Sequence, residues 1–160
     1  MTYLIRDIEE ADLDELILLI EEHTVFEKAT YNRTGKKVRL ATQLFCGKKQ
    51  LNCWVIEIDD IVNGFCSFTY DYSTWEAGYY IYMDCLYIRS SFRGKGIGSV
   101  VIEKLKALAK ERDCVNVQWQ TPEFNSAAIE FYEKNGAEAK EKVRFTLSFR
   151  DSSTAIRNHS

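Results

Sequence analysis

A single proline, Pro122, interrupts this 160-residue chain, and no Gly/Ser-rich stretch accompanies it, so the sequence offers no linker at which to divide it. Internal repeats and low-complexity tracts are missing as well. The five cysteines (Cys46, Cys53, Cys66, Cys85, Cys114) form no CxxC pair, and their odd number suits reduced, buried thiols rather than a disulfide framework. With only two histidines, His23 and His159, a metal centre has few ligands to draw on, and none is expected. Basic excess is lacking too. A net charge of −3 gives no electropositive stripe for nucleic acid. The aliphatic run in the first helical segment, "LILLI" (16–20), is far shorter than the ~20 residues of a membrane span. The first residues, "MTYLIRDIEEADLDE", lack a basic region followed by an apolar one, so neither a signal segment nor a membrane anchor is expected, and the location read from this is cytoplasmic.

A hydrophobic fraction of 46% and a charged fraction of 28% are those of an ordinary globular domain. The length fits one core, placed at 1–150, with 151–160 a frayed, flexible tail. "YLIRDI" (3–8) reads as a strand, and Asp12 with Glu15 three residues on reads as the capped start of a helix carrying Leu13, Leu16, Ile17 and Ile20 on one face. "GKKVRLATQLF" (35–45) reads as a second helix. "NCWVIEID" and "VNGFCSFTYDY" read as strands joined by a tight turn at Asp59–Asp60, and "AGYYIYMDCLYI" (77–88) as a central strand. A helix follows with Ile97, Val101, Leu105 and Leu108 as its stripe, then a strand in "VNVQWQT" (115–121). A helix started by Asn125 and stopped at Asn135-Gly136 comes next, and "VRFTLSF" (143–149) alternates like a last strand. The order β-α-α-β-β-β-α-β-α-β is that of a mixed α/β domain with an antiparallel front half.

Chemistry concentrates in "SFRGKGIGS" (91–99), which sits between the central strand and a helix. A helix start leaves N–H donors without partners and carries partial positive charge, and glycine lets an anion approach the main chain closely. Gly94, Gly96 and Gly98 therefore predict an anion nest, with Arg93 and Lys95 adding charge around it. The spacing is neither the GxxxxGK[ST] of a nucleoside-triphosphate loop nor the GxGxxG of a dinucleotide fold. Arg93-Gly94-Lys95-Gly96-Ile97-Gly98 resembles instead the [RQ]xxGx[GA] acetyl-CoA loop of the GNAT superfamily of N-acetyltransferases. "NSAAIEFYEKNGA" (125–137) resembles that superfamily's second segment, N-x-x-A-x-x-[FL]-Y-x-x-x-G[FA], one strand and one helix later. "FTYDYSTW", "IYMDCLYI", "FRGKGIGS" and the "VFEK" at 25–28 resemble the spermidine/spermine and thialysine acetyltransferase branch.

That resemblance implies an α/β (α+β mixed) fold, with a central, mostly antiparallel twisted sheet of about six to seven strands and about four flanking helices. It implies direct transfer of acetyl from acetyl-CoA to a primary amine in a ternary complex, with a polyamine, a diamine or a lysine-like molecule as acceptor. A protein N-terminus or lysine, an aminoglycoside, or a non-catalytic acyl-CoA sensor are the competing readings. The main chain at Leu86, Tyr87 and Ile88 would hold the pantetheine arm, with one N–H near Leu86 facing the thioester oxygen. Arg93 to Ser99 would hold the pyrophosphate, and Asn125, Ala128 and Tyr132 would line the cofactor from the following helix.

Tyr132 would be the general acid for the departing thiolate. Passing a proton from a phenol near ~10 to a thiolate near ~8.5 is uphill by roughly 2 kcal/mol. Asp84, where the branch usually has Glu, would take the amine proton directly or through water, and Glu27 would bind a second cationic group. Trp75 and Tyr70 would wall the acceptor pocket by cation–π contact. An acetyl-Cys85 intermediate is the rival mechanism, opposed by strand alternation, which points Cys85 away from the face of Asp84. Family members often dimerise through the C-terminal strand, so a homodimer is expected.

Overall fold

The computed structural model describes residues 1–150; the tail expected at 151–160 lies outside the described residues. One five-stranded sheet runs in sequence order through β1 (Tyr3–Asp7), β2 (Asn52–Ile58), β3 (Ile61–Ser73), β4 (Gly78–Ile88) and β5 (Val117–Gln118). The first three pairings are antiparallel and β4–β5 is parallel. Four α-helices accompany it: α1 (Leu13–Phe26), α2 (Lys36–Phe45), α3 (Ile97–Glu111) and α4 (Ser126–Lys134).

Alternation along β2 sends Cys53 and Val55 to one face and Trp54, Ile56 and Ile58 to the other, and each face gains its own core. Leu13, Leu16 and Leu19 of α1 and Leu44 of α2 close the first. Ile97, Val101, Ile102 and Leu105 of α3 close the second, against Phe68, Ile81 and Met83. The two layers put the start of α3 on one side of β4 and the end of α1 on the other, which frames the site.

The tight turn between β2 and β3 is present, with Asp59 at φ +48° and Asp60 at φ +65°, the backbone of a two-residue hairpin. Three expectations are corrected. Asp12 does not cap α1 with its side chain. Its carboxylate pairs with Arg6 at 2.7 Å and accepts the Glu9 N–H at 2.8 Å, closing a short 3-10 turn (Glu10–Asp12) instead. The strand expected across 115–121 shrinks to two residues. "VRFTLSF" forms no strand among the described residues: none of its residues pairs with the sheet, and Val143, Phe145, Leu147 and Phe149 are all exposed. The sheet thus has five strands rather than six to seven, while the mixed α/β class holds.

Candidate active site

β5 pairs with β4 only at Ile81–Val117 and Tyr82–Gln118. From Met83 to Ile88, β4 keeps β3 on one side, and among the described residues no strand adjoins its other edge. Leu86, Tyr87 and Ile88 all lie on this stretch, opposite Cys66, Phe65 and Gly64. Main-chain groups that point away from β3 are left for a partner that is not a strand of the sheet. Gly64 makes the stretch possible. A Cβ there would come within 2.7 Å of the Tyr87 carbonyl oxygen, so only glycine allows β3 to lie so close to β4.

The open edge leads into the glycine loop. After a 3-10 turn (Ser90–Phe92), Gly94 has φ +71° and Gly96, the N-cap of α3, has φ +80°. No atom lies within 4 Å of where a Cβ would stand at either. The first turn of α3, with Ile97, Gly98 and Ser99, has no acidic residue to occupy its N–H groups. A left-handed backbone with open space in front of a bare helix start fits a large anion such as a diphosphate. Gly98 does a different job from the other two. Its missing Cβ accommodates Phe131, whose Cζ would sit 2.9 Å away, so it seats α4 on α3. Ile97 anchors the helix start in the core. Arg93 turns back from the loop: its Nε donates to the Ile88 carbonyl at 2.6 Å, and its guanidinium lies over Phe26 (4.6 Å) and Tyr87 (5.2 Å). Lys95 sits 5.4 Å from the Phe92 ring centre.

On α4, Asn125 caps the helix, its Oδ1 accepting the Ala128 N–H at 3.2 Å. Tyr132 packs between Trp119 (5.0 Å) and Phe131 (5.2 Å). Burial pushes its phenol up to about 12, and negative charge on Cys66, Glu27 and Cys85 adds to the shift, so these groups lie within its electrostatic reach. Taken alone, a phenol at about 12 is a poorer proton donor than a free tyrosine. The same burial acts on thiols, however: it also pushes Cys85 up to about 12. A thiolate leaving into a comparably buried setting would likewise gain basicity, which would offset the phenol's loss of acidity.

Asp84 occupies a β-bulge. The β3–β4 register runs Ser67–Cys85 and then Phe68–Met83, which leaves Asp84 as the unpaired extra residue. The bulge breaks the alternation expected of a regular strand. Asp84 and Cys85 therefore share a face and line one cavity, with the thiol donating to Asp84 Oδ2 at 3.7 Å. The reason given from alternation against an acetyl-cysteine fails, and a better one replaces it, since a thiol held at about 12 is not a thiolate near neutral pH.

The cavity, about 340 Å³, lies between the sheet and the α1–α2 segment, with Phe65 and Ser67 on its sheet side. Glu27, just past α1, is not among the residues lining this cavity but acts electrostatically on Tyr132 and Cys85. It pairs with His23 Nε2 at 3.2 Å, while the His23 ring stacks on Tyr87 at 5.2 Å. Trp75 is not brought to this place. It stands 93% exposed in the β3–β4 turn, on a hairpin that projects beyond the sheet. Tyr70 packs on the α3 side, with Arg112 over its ring at 5.7 Å.

An open β4 edge thus runs into the glycine loop, with Tyr132 packed on the α3 side of the sheet and Asp84 in the cavity on the other. The profile described as the acetyltransferase (GNAT) family covers residues 14–137. The chain belongs to that family. Its members use acetyl-CoA as acetyl donor, and this chain is an acyltransferase of that kind. Among curated proteins it is similar to the thialysine N-epsilon-acetyltransferase of Mus musculus, at 27% identity over 96% of this chain and 94% of that one. It is also similar to that of Caenorhabditis elegans, at 32% over 75% of this chain and 73% of that one. Among solved structures, an aminoglycoside acetyltransferase from an uncultured soil metagenomic sample superposes with a TM-score of 0.77, at 18% identity, over 92% of this chain and 97% of that one, which shows the fold alone.

Sequence reading of this acetyltransferase missed several residues. Gly64 looked like an ordinary strand glycine. Arg89 proves to be a hub at the end of β4, its guanidinium reaching Glu15 at 2.6 Å, Glu22 at 2.9 Å and Asn63 Oδ1 at 3.2 Å, so that it clamps α1 to the strand. Glu15 had been read as part of a helix cap. The cavity wall formed by Tyr31, Lys36 and Arg39 carried one signal in the sequence, a run of cations without acids, that was left unread.

Proposed function

We propose that this acetyltransferase moves acetyl from acetyl-CoA directly to the primary amine of a small molecule, in a ternary complex. The observation that carries the reading is the β4 edge that loses its strand partner at Tyr82 and runs unpaired to the glycine loop. The main chain at Leu86–Ile88 takes the pantetheine arm. Gly94, Gly96 and the N–H groups of Ile97–Ser99 take the diphosphate, with Lys95 supplying positive charge, while Arg93, turned back onto Ile88, braces the end of β4. An outward N–H near Leu86 stabilises charge on the thioester oxygen. Asp84 accepts the amine proton, directly or through one water, and Tyr132 returns a proton to the leaving sulfur. Glu27, steadied by His23, faces the acceptor side. All five cysteines are free thiols, in keeping with a reducing, cytoplasmic setting; no described helix is long and apolar enough to cross a membrane.

The test is a panel of primary amines with detection of released CoA thiol and mass-spectrometric identification of the product. Acetylation of at least one small amine, with saturation in both substrates, is the expected result. CoA binding without turnover of any amine, peptide or aminoglycoside would replace the enzyme by an acyl-CoA sensor. We also propose a homodimer, supported by the four apolar side chains that "VRFTLSF" leaves exposed on one molecule. Sedimentation giving a monomer at micromolar concentration would reject it.

A further inference from the structure

From Lys28 to Ile56 the chain carries seven Lys and Arg residues and no Asp or Glu, although the whole protein has a net charge of −3. This basic stretch forms the segment after α1, α2 and the start of β2, which is the wall of the cavity that faces Asp84. Two of the cations outside the cavity are neutralised by α1: Arg33 pairs with Glu21, and Lys37 with Asp14 at 2.7 Å. Lys36 and Arg39 line the cavity instead, and among the described residues neither has a carboxylate partner. Arg150 lines it as well, so three cations face a single carboxylate, Asp84.

The local structure is arranged around that imbalance. The Lys36 ammonium sits 3.9 Å from the centre of the Tyr31 ring, and burial, followed by the charge of Arg39, lowers its pKa. Arg39 donates to the Thr34 carbonyl at 3.1 Å and folds over Gly35, where a Cβ would meet its Nη1 at 2.7 Å. Gly35 is the N-cap of α2, left-handed at φ +69°, with no side-chain cap and no acid in the first turn. Two cations at a helix start oppose the macrodipole, an arrangement that a bound anion would relieve. The Tyr31 hydroxyl is, among the described residues, the one buried side-chain polar atom with no hydrogen-bond partner. A buried donor left unpaired beside a cavity costs stability unless a ligand atom, reached by a small turn of the ring, takes it. Between this cationic wall and Asp84 the lining is apolar, with Leu16, Ile20 and Phe65.

We propose that this cavity is the acceptor pocket and that Tyr31, Lys36 and Arg39 bind an anionic group, carboxylate or phosphate, carried by the same molecule whose amine meets Asp84. The inference rests on the acetyl-transfer reading above and narrows it. The acceptor is an amine with an acidic group and an apolar spacer, whereas a polyamine would place its further cations against Lys36, Arg39 and Arg150.

The test compares matched acceptors that differ in the acidic group alone: L-lysine with cadaverine, L-ornithine with putrescine, and phosphoethanolamine with ethanolamine. At least one acidic member should exceed its partner by about tenfold or more in kcat/KM, and the pair that does so tells carboxylate from phosphate. Tyr31→Phe, which keeps the ring and the fold, and Lys36→Met should each raise KM for the acidic acceptor by about five- to fiftyfold. Their kcat/KM for the diamine should stay unchanged or improve. Diamines turned over as well as or better than the amino acids, or variants that lower both members of a pair equally, would overturn the subsite and leave the acetyltransferase reading intact. Calorimetry on the CoA-saturated protein separates the other case. If an acidic amine binds and loses affinity in Tyr31→Phe but no amine is acetylated, the subsite stands and the transfer reading falls; if no acidic amine binds or reacts, the subsite falls.

Discussion

Replacing Gly96 by alanine isolates the claim that the loop grips coenzyme A through its main chain. At φ +80° the added Cβ costs about 1–2 kcal/mol of backbone strain, and with nothing within 4 Å it meets no protein atom. For a domain of this size that is a fall of about 2–8 °C in Tm. The methyl group would stand where the diphosphate is to lie. Losing or lengthening one N–H bond to a charged oxygen costs about 1.5–3 kcal/mol, or roughly ten- to 150-fold in Kd. Gly47 supplies the control. It too is left-handed, at φ +52°, with open space around its Cβ position, and it lies in the turn after α2, far along the chain from the loop. Gly47→Ala should show a similar Tm shift and unchanged CoA affinity, and Gly96→Ala should show both losses. Calorimetry that finds wild-type affinity for CoA in Gly96→Ala would refute the nest.

Tyr132→Phe should lower kcat by about 10²–10⁴-fold while CoA binding persists; turnover at the wild-type level would remove Tyr132 from the acid role. Because burial raises this phenol to about 12, the folded state keeps a proton that an unfolded tyrosine has lost above pH ~10. Its contribution, about 2–3 kcal/mol, is whole below pH ~10 and gone above about 12, so wild type should lose more stability than Tyr132→Phe across that window in urea titrations. Cys85→Ala should keep turnover within a few-fold, and a mass spectrum showing an acetylated Cys85 peptide during turnover would overturn the direct-transfer mechanism. Gly64→Ala should cost about 1–3 kcal/mol or more, since its Cβ meets backbone that cannot swing aside, and should weaken CoA binding through the displaced Tyr87–Ile88 stretch. A stable variant with normal CoA affinity would show that this close approach does not position the edge.

Local pattern carried most of the architecture because burial here follows short-range period. Cys53 to Ile58 alternates cleanly between two cores, and Ile97, Val101 and Leu105 recur at helical spacing, so strands and helices were readable from either. The left-handed glycines could be read because Gly94 and Gly96 answer to a backbone need that composition displays. Elements that depend on a distant partner were not readable in this way. "VRFTLSF" has the alternation of a strand but pairs with no strand of the sheet, and 115–121 keeps only the two residues that pair with β4.

The same distinction explains the site. Tyr132 and the loop stand out as candidates because their neighbours in sequence make the motif. Asp84 could be picked out as a candidate from its place in "YMDCLY", but its surroundings could not, since a bulge is set by the partner strand and not by the residues around it. One unpaired residue turns Asp84 and Cys85 onto a single face, and that face is the one opposed by Tyr31, Lys36 and Arg39. Removing the bulge, by deleting Asp84 or by forcing regular pairing, would return one of the two side chains to the α3 core. The carboxylate proposed to meet the amine and the cavity wall proposed to select it are therefore brought together by the same irregularity. Under the proposed reading, acceptor choice is decided where β4 stops being a regular strand.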